Sequence, residues 1–402
     1  MSVESDFLHS PSLDLRALLM QKPSKIKKFL RTNHWSSGNR IRAELWKELC
    51  RDPETGARML VYRDTVSKLT KHGTTHLRPS LLSAPGMVMC DHQLRPPGKE
   101  SLLRVLTALE HVRPDFTFVP ILYPLTAVML HYMNEEDTFC CLMSLLNRSQ
   151  TFLLQTDIAT SASKKTLLML VKKHRTNIYA QLKRMLSTID DQHLVLALQE
   201  WKSWIFRDLP FFHVVRVVDC FLYEGQKVLF RVAIAILDYW SRSECGIRSG
   251  SADYVANEIS QYCKAMPVQP DRLLKSAFGI RNLKIVTIRR LQEKNEREAR
   301  KQEPSLSRQA SEHSMEAMVA PHQLIDCHLD SRLVQSTQGS QLMSWLPARM
   351  HLRRARRLFS QQQDGTGFLR RWQNFPDLEP TPIFFKKTKG NDACDTKIFM
   401  RG

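Results

Sequence analysis

Nine cysteines are scattered through this 402-residue chain, and none forms a Cys-x-x-Cys pair or a Cys/His cluster with zinc spacing. A zinc module and a disulfide framework are both excluded on that pattern. Free thiols in a reducing cytosol are expected, which makes the sequon Asn147-Arg148-Ser149 a chance match. The opening MSVESDFLHS has neither a basic stretch nor an apolar run, so no secretory leader is expected there. The most apolar run, 116–133, approaches a membrane span but is broken by Pro120, Pro124 and His131. It reads as a buried core helix with a proline-marked start. A phosphate-cradling Gly-rich loop, a Gly-x-Ser-x-Gly elbow and a His-Glu-x-x-His helix are all missing. His92, His131 and His213 are too far apart in pattern to suggest a metal site, and neither metal nor cofactor is expected. Strand signals are scarce and there are no internal repeats.

What the chain has in excess is positive charge. Lys and Arg number 59 against 40 Asp and Glu, a formal net charge of +19. Such a surplus favours an anionic partner: nucleic acid, an anionic membrane face or a phosphorylated ligand. No nucleic-acid-binding motif accompanies it, so no nucleic-acid partner is expected.

Helical spacing dominates. Ser24 is a plausible N-cap for KIKKFLRTNHW, and Ile41, Leu45 and Leu49 stripe the segment 38–49. Helices are further predicted at 100–112, 121–133 and 135–146, along a long amphipathic stretch at 164–189, and through the segments HLVLALQEWKSWIF, PFFHVVRVVDCFLYEG and EGQKVLFRVAIAIL. The carboxylate runs Glu135-Glu136-Asp137 and Asp190-Asp191 read as helix starts or turns. The organisation expected is a flexible tail at 1–24, one all-helical domain at 25–290, a charged and largely disordered linker at 291–320, and a separate α+β or β-rich piece at 321–402. Arg308-Gln309-Ala310-Ser311 in the linker resembles a basophilic kinase site. In the last piece Arg349, Arg353, Arg354, Arg356 and Arg357 suit either a membrane-surface patch or an exposed helix face.

Two cations stand out within EGQKVLFRVAIAIL. Lys227 and Arg231 are four apart and share one face, while every other residue from 228 to 237 is apolar. Lys27 and Arg31 repeat the arrangement. One reading is a solvated stripe, with apolar stems lying along the surface. The other is a shared anion site, because a lone buried cation is costly.

Three segments resemble the TBC domain, the fold of GTPase-activating proteins for Rab-type small GTPases. In RIRAELWKEL, Arg42 and Trp46 match an early Arg-x-x-x-Trp. The segment 95–142 is similar to the central block. In 201–237, Arg216, Asp219, Glu224 and Gly225 fall in the order of the late Arg-x-x-Asp…Glu-Gly block. The resemblance covers 25–290. Beyond it, LMSWLPARM and EPTPIFFKK resemble the opening of a TLDc domain, which is the arrangement of the Skywalker-like subfamily. The fold expected is therefore mainly α, an all-helical TBC domain followed by a partial TLDc segment. That subfamily implies a cationic pocket for inositol phosphates and phosphoinositide headgroups, formed here by Lys27, Arg31, Lys227, Arg231 and Arg281. It also implies a trafficking regulator, cytoplasmic and peripheral on vesicle or plasma membranes, whose partners are phosphoinositide-containing membranes and a Rab- or Arf-type GTPase.

Active TBC proteins supply an Arg and a Gln to the GTPase, and an arginine finger alone is worth roughly 10³–10⁵ in rate. At the Gln position of Tyr-x-Gln-Gly this chain reads Phe118-Val119-Pro120-Ile121. At the Ile-x-x-Asp-x-x-Arg position the nearest match, Asp91 and Arg95, is spaced four apart instead of three. No catalytic residue is therefore assigned, and the chain is expected not to be an enzyme. The alternatives are an active GTPase-activating protein using other residues, and a TLDc-mediated protein of oxidative-stress resistance or vacuolar-ATPase association.

Overall fold

The computed structural model describes residues 15–71, 79–148, 152–187, 190–243 and 250–316, with side chains to 301. The chain divides into two units, 1–321 and 322–402, and every described residue lies in the first. The expected TLDc-like segment and its arginine cluster fall outside the described residues, as does the side chain of Ser311.

The described unit is helical, without a strand among its described residues. In chain order the helices are α1 Leu15–Leu19, α2 Pro23–Thr32, α3 Ile41–Cys50, α4 Thr55–Lys71, α5 Pro96–Val112, α6 Leu122–Leu130, α7 Glu135–Asn147 and α8 Asp157–His174. There follow α9 Thr176–Met185, α10 Asp191–Ala197, α11 Trp201–Ser203, α12 Phe211–Glu224, α13 Gln226–Ser241, α14 Ala252–Lys264, α15 Pro270–Gly279 and α16 Ile285–Glu316. A single π turn over Trp204–Asp208 continues α11, with Leu209 N–H donating to the Trp204 carbonyl at 2.9 Å.

Local chemistry explains most boundaries. Asn134, Thr156, Asp190 and Ser251 cap α7, α8, α10 and α14 by accepting first-turn N–H groups. The carboxylates 135–137 and Asp191 lie in first turns, where the helix dipole favours them. Pro23, Pro96 and Pro270 open α2, α5 and α15 at a position where the missing N–H costs nothing. Pro23 displaces the expected cap: Ser24 lies inside α2 and caps nothing. Pro96 likewise starts α5 four residues before the predicted 100. The stretch 164–189 is two helices, broken at Arg175 (φ −145°, ψ 65°) after the cationic last turn Lys172-Lys173-His174.

Three further differences concern the edges. Residues 15–19 of the expected tail are helical, and Leu15 and Leu18 are buried. Helix α4 has only Arg58, Tyr62 and Thr65 buried, so its apolar stripe is faint in the sequence. Helix α16 begins at 285 and packs along α8, with Asn295 donating to Thr166 Oγ1 at 2.9 Å and Lys165 to Glu298 at 2.5 Å. The linker boundary expected at 291 thus falls inside a packed helix.

Helix α13 is the centre of the unit. From Val228 to Asp238 every side chain is buried, and α8, α9, α12, α14 and α15 surround it. A helix apolar all round is a core helix. Trp201 stacks on Phe230 at 4.9 Å, a pair worth about 0.5–1.5 kcal/mol beyond its buried area. The core position of α13 makes the partner of Arg231 a structural necessity.

Candidate functional site

Four of the six motif residues named from the sequence, Arg42, Trp46, Arg216 and Asp219, meet in one buried network. Asp219 accepts from Arg42 Nε at 3.1 Å, from Trp46 Nε1 at 2.9 Å and from Arg216 Nη1 at 3.2 Å. Arg42 and Asp219 have fully buried side chains. Arg42 also donates to the carbonyls of Trp35 (3.1 Å) and Ser36. Arg216 reaches the carbonyls of Leu30 (3.2 Å) and Arg31 (3.4 Å). These residues tie α3 and α12 to the C-terminal end of α2, and thereby hold the backbone from which Arg31 projects.

Beside that network α2, α12, α13 and α15 converge. Arg31 makes a two-pronged bond to Glu224, Nε to Oε1 at 2.7 Å and Nη2 to Oε2 at 2.6 Å. Lys227 Nζ is 3.1 Å from the same Oε2. The two cations come from different helices and meet on one carboxylate because α12 ends at Glu224 and α13 begins at Gln226. The turn between them needs Gly225 at φ 70°, a conformation open to glycine at no steric cost. The Glu224 carboxylate is 2% exposed. Burial would raise its pKa, but Arg31 and Lys227 outweigh that effect and hold it below the usual carboxylate range. Phe278 on α15 lies under Arg31, its ring centroid 4.0 Å from the guanidinium carbon.

Arg231 is 8% exposed and has a different partner. Its Nη1 donates to the carbonyls of Ala277 (2.9 Å), Phe278 (3.3 Å) and Ile280 (3.0 Å), and Nη2 to that of Leu283 (3.0 Å). These carbonyls belong to the last turn of α15 and the loop that follows it, where orphan acceptors and the helix dipole concentrate negative charge. Burial pulls the Arg231 pKa down and the charge of Arg31 adds to this, with Glu224 opposing. The buried cation in the core helix is therefore a cap for α15, bonded to backbone instead of to an acid.

The remaining two predicted residues stay open. Lys27 is half-buried, one turn before Arg31 on α2. Arg281 is exposed in the loop whose flanking carbonyls, Ile280 and Leu283, Arg231 holds. Among the described residues neither Lys27 nor Arg281 pairs with a carboxylate. Sequence reasoning did not single out the neighbours. A groove of about 530 Å³ between α2 and α15 is lined by Lys28, Arg31, His34, Lys275 and Phe278, with Asp271 paired to His34 at 2.5 Å. Lys28 and Lys275 sit on surface faces, where charge is common, and carry no distinguishing spacing.

The segments at the two finger positions are also defined. Phe118, Val119 and Pro120 are buried, and the Pro120 carbonyl accepts from Val88 N–H at 2.9 Å. Arg95 is exposed immediately before α5, while Asp91 faces Lys99 at 2.7 Å. Between them His92 and Gln93 have positive φ (49° and 61°). His92 and His131, judged unrelated from their spacing, are adjacent: His131 Nε2 lies 3.0 Å from the His92 carbonyl, and both rings contact Phe211. Burial, with His131 adding, lowers the His92 pKa to about 4. Among the described residues no group of three His, Cys, Asp or Glu side chains could hold a metal ion, and no helix is long and apolar enough to cross a membrane.

Residues 87–244 match the Rab-GTPase-TBC domain family. The GTPase-activating protein skywalker of Drosophila melanogaster is 29% identical over 420 residues, 96% of this chain and 70% of that protein. TBC1 domain family member 24 of Xenopus laevis is 26% identical across 92% of this chain, which spans 65% of that relative's length. The crystal structure of the Drosophila Skywalker TBC domain is 31% identical, with a TM-score of 0.60 over 71% of this chain and 96% of that one. The same domain in complex with inositol (1,4,5)-trisphosphate is 33% identical, with a TM-score of 0.57 over 68% of this chain and 97% of that one. With the motif residues gathered on Asp219 and the fold shared across that whole solved domain, the chain belongs to the TBC-domain family.

Proposed function

We propose that this protein is a membrane-recruited TBC module that binds multiply phosphorylated inositol headgroups and engages a small GTPase of the Rab or Arf type without supplying dual-finger catalysis. The observation that carries the headgroup reading is the convergence of Arg31, Lys227 and Arg231 around Glu224 and the end of α15, with unpaired Lys27 and Arg281 on the same elements. Five cations against one carboxylate suit a ligand with about −1.5 to −2 charges per phosphate monoester. Roles differ within the set. Lys27 and Arg281 have free donors for phosphate. Arg31 and Lys227 can turn from Glu224 toward a stronger anion, and guanidinium forks grip phosphate in two places. Arg231 has committed both Nη groups to backbone and positions the Arg281 loop. The inositol trisphosphate complex of the related Skywalker domain supports the same reading. Location on vesicle or plasma membranes, and a part in trafficking, would follow from such binding.

The reading without catalysis rests on Pro120, which has no side-chain amide to orient water, and on the absence of an Arg at the spacing of the Ile-x-x-Asp-x-x-Arg motif. Membership of a family of Rab regulators supports the GTPase partner.

The test is co-sedimentation of the full chain with liposomes, with and without a bisphosphorylated phosphoinositide, at physiological salt. Lys27→Ala with Arg281→Ala should abolish lipid-dependent binding while leaving the fold intact, since neither residue is paired. Retained binding by the folded double variant would sink the headgroup site. A panel of Rab and Arf proteins should show no faster GTP hydrolysis with catalytic amounts of the chain; acceleration of any member would overturn the non-catalytic half.

A further inference from the structure

A second cavity lies away from α2, between the start of α8 and the 199–203 segment. It is small, about 60 Å³. Thr160 and Lys164 line it from α8, Lys202 and Ser203 from α11, and Phe118 and Pro120 from the segment that aligns with the Gln motif.

Two of these side chains are buried without a partner. Lys202 is 7% exposed and, among the described residues, makes no hydrogen bond or ion pair; its only recorded contact is the Trp201 ring, 5.5 Å from Nζ. Thr160 is 6% exposed and its Oγ1 has no hydrogen-bond partner. A buried hydroxyl left unpaired is costly, and so is a lysine buried along most of its length with no anion beside it. Acids do not relieve them. Glu200 lines the cavity but accepts from Ser203 Oγ at 2.8 Å and faces Arg207 at 3.5 Å. Asp157 is exposed in the first turn of α8. The charge felt at Lys202 is that of Lys164, which together with burial lowers its pKa to about 7.

We propose that this cavity is a binding site for a single phosphate group, held by Lys202, Lys164 and Thr160 Oγ1 near the N-terminal end of α8. The cavity is far smaller than the groove of about 530 Å³ between α2 and α15, which suits it to a single oxyanion. A dianion would supply what the cavity lacks: an acceptor for the Thr160 hydroxyl and a counter-charge for two lysines. The first turn of α8 adds a favourable dipole. Free inorganic phosphate and the phosphoryl end of a monoester present the same chemistry.

The experiment is thermal unfolding of the full chain against inorganic phosphate and, separately, phosphoserine, each compared with chloride at matched ionic strength. Phosphate should raise the Tm by several degrees. Lys202→Met should abolish the response, and Thr160→Val or Lys164→Gln should weaken it. If Lys202→Met does not fold, the latter two variants carry the test. Lys27→Ala with Arg281→Ala should leave the response whole, which separates this cavity from the headgroup site. A response to phosphoserine as well would assign the monoester, and a response to phosphate alone the free ion. Binding should also weaken about tenfold per pH unit above 8, where phosphate is already dianionic but Lys202 must take up a proton. No shift beyond chloride, or an undiminished shift in every cavity variant, would overturn the proposal.

Discussion

Replacing Arg231 by Met keeps an unbranched apolar stem and removes every donor. Four carbonyls at the end of α15 then lose their partner: Ala277, Phe278, Ile280 and Leu283. Hydrogen bonds to a charged group contribute about 1.5–3 kcal/mol each, so their simple sum is an upper bound. The variant also no longer buries a guanidinium, which offsets part of the loss. Removing one side of a buried charged contact costs about 3–5 kcal/mol in comparable cases. With a urea m of about 3 kcal/mol per molar, the midpoint should fall by roughly 1–2 M with m unchanged. Arg231→Lys should recover less than half, because an ammonium has three donors on a single nitrogen and cannot span the four carbonyls. Lys27→Ala, half-buried and unpaired, should stay within about 0.5 kcal/mol of the parent. If Arg231→Met unfolds within that same margin, the capping role is wrong. The cation would then be free to turn toward a ligand.

Glu224→Gln should cost about 1–3 kcal/mol in urea unfolding, since Arg31 keeps an acceptor but both cations lose their counter-charge. The same variant should bind inositol trisphosphate more tightly by calorimetry, because the carboxylate no longer competes with phosphate. The depressed Glu224 pKa sets a sign: its stabilisation is fully present above the unfolded value of about 4.5 and is lost as the pH falls through the folded value. Glu224→Gln should therefore flatten the acid limb of a stability–pH curve, and an unchanged limb would remove Glu224 as its source. Asp219→Asn should cost about 3–5 kcal/mol, as Arg42 and Arg216 would be left without their shared anion. Near-normal stability of that variant would show the network to be peripheral to folding.

Helix existence was legible wherever apolar spacing was strong, as in α7, α12 and α13. It failed where burial is sparse: α4 covers 17 residues with three buried positions, two of them polar or charged. Boundaries failed for a different reason. Pro23 and Pro96 act as first-turn residues, so the helices start earlier than their apolar stripes do. Arg175 interrupts a continuous amphipathic pattern through its backbone angles alone, a change no periodicity records.

The residues of the proposed site can be named from the sequence, but not their division of labour. Spacing put Lys27 with Arg31 and Lys227 with Arg231, and their pairing across helices came from the resemblance. The apolar surroundings of Arg231 mark it for burial, but nothing in the sequence shows that it caps a helix while Arg281 is exposed. That difference depends on α15 ending where Arg231 can reach four carbonyls. Glu224 shows the same limit. The Glu-Gly motif marked it, but its charge lies between Arg31 and Lys227 only because Gly225 turns α12 into α13. A carboxylate at that point keeps two cations from α2 and α13 together when no phosphate is bound. Its presence therefore lowers the affinity such a site could reach while preserving the arrangement of the site, and Glu224→Gln separates the two effects by moving binding and stability in opposite directions.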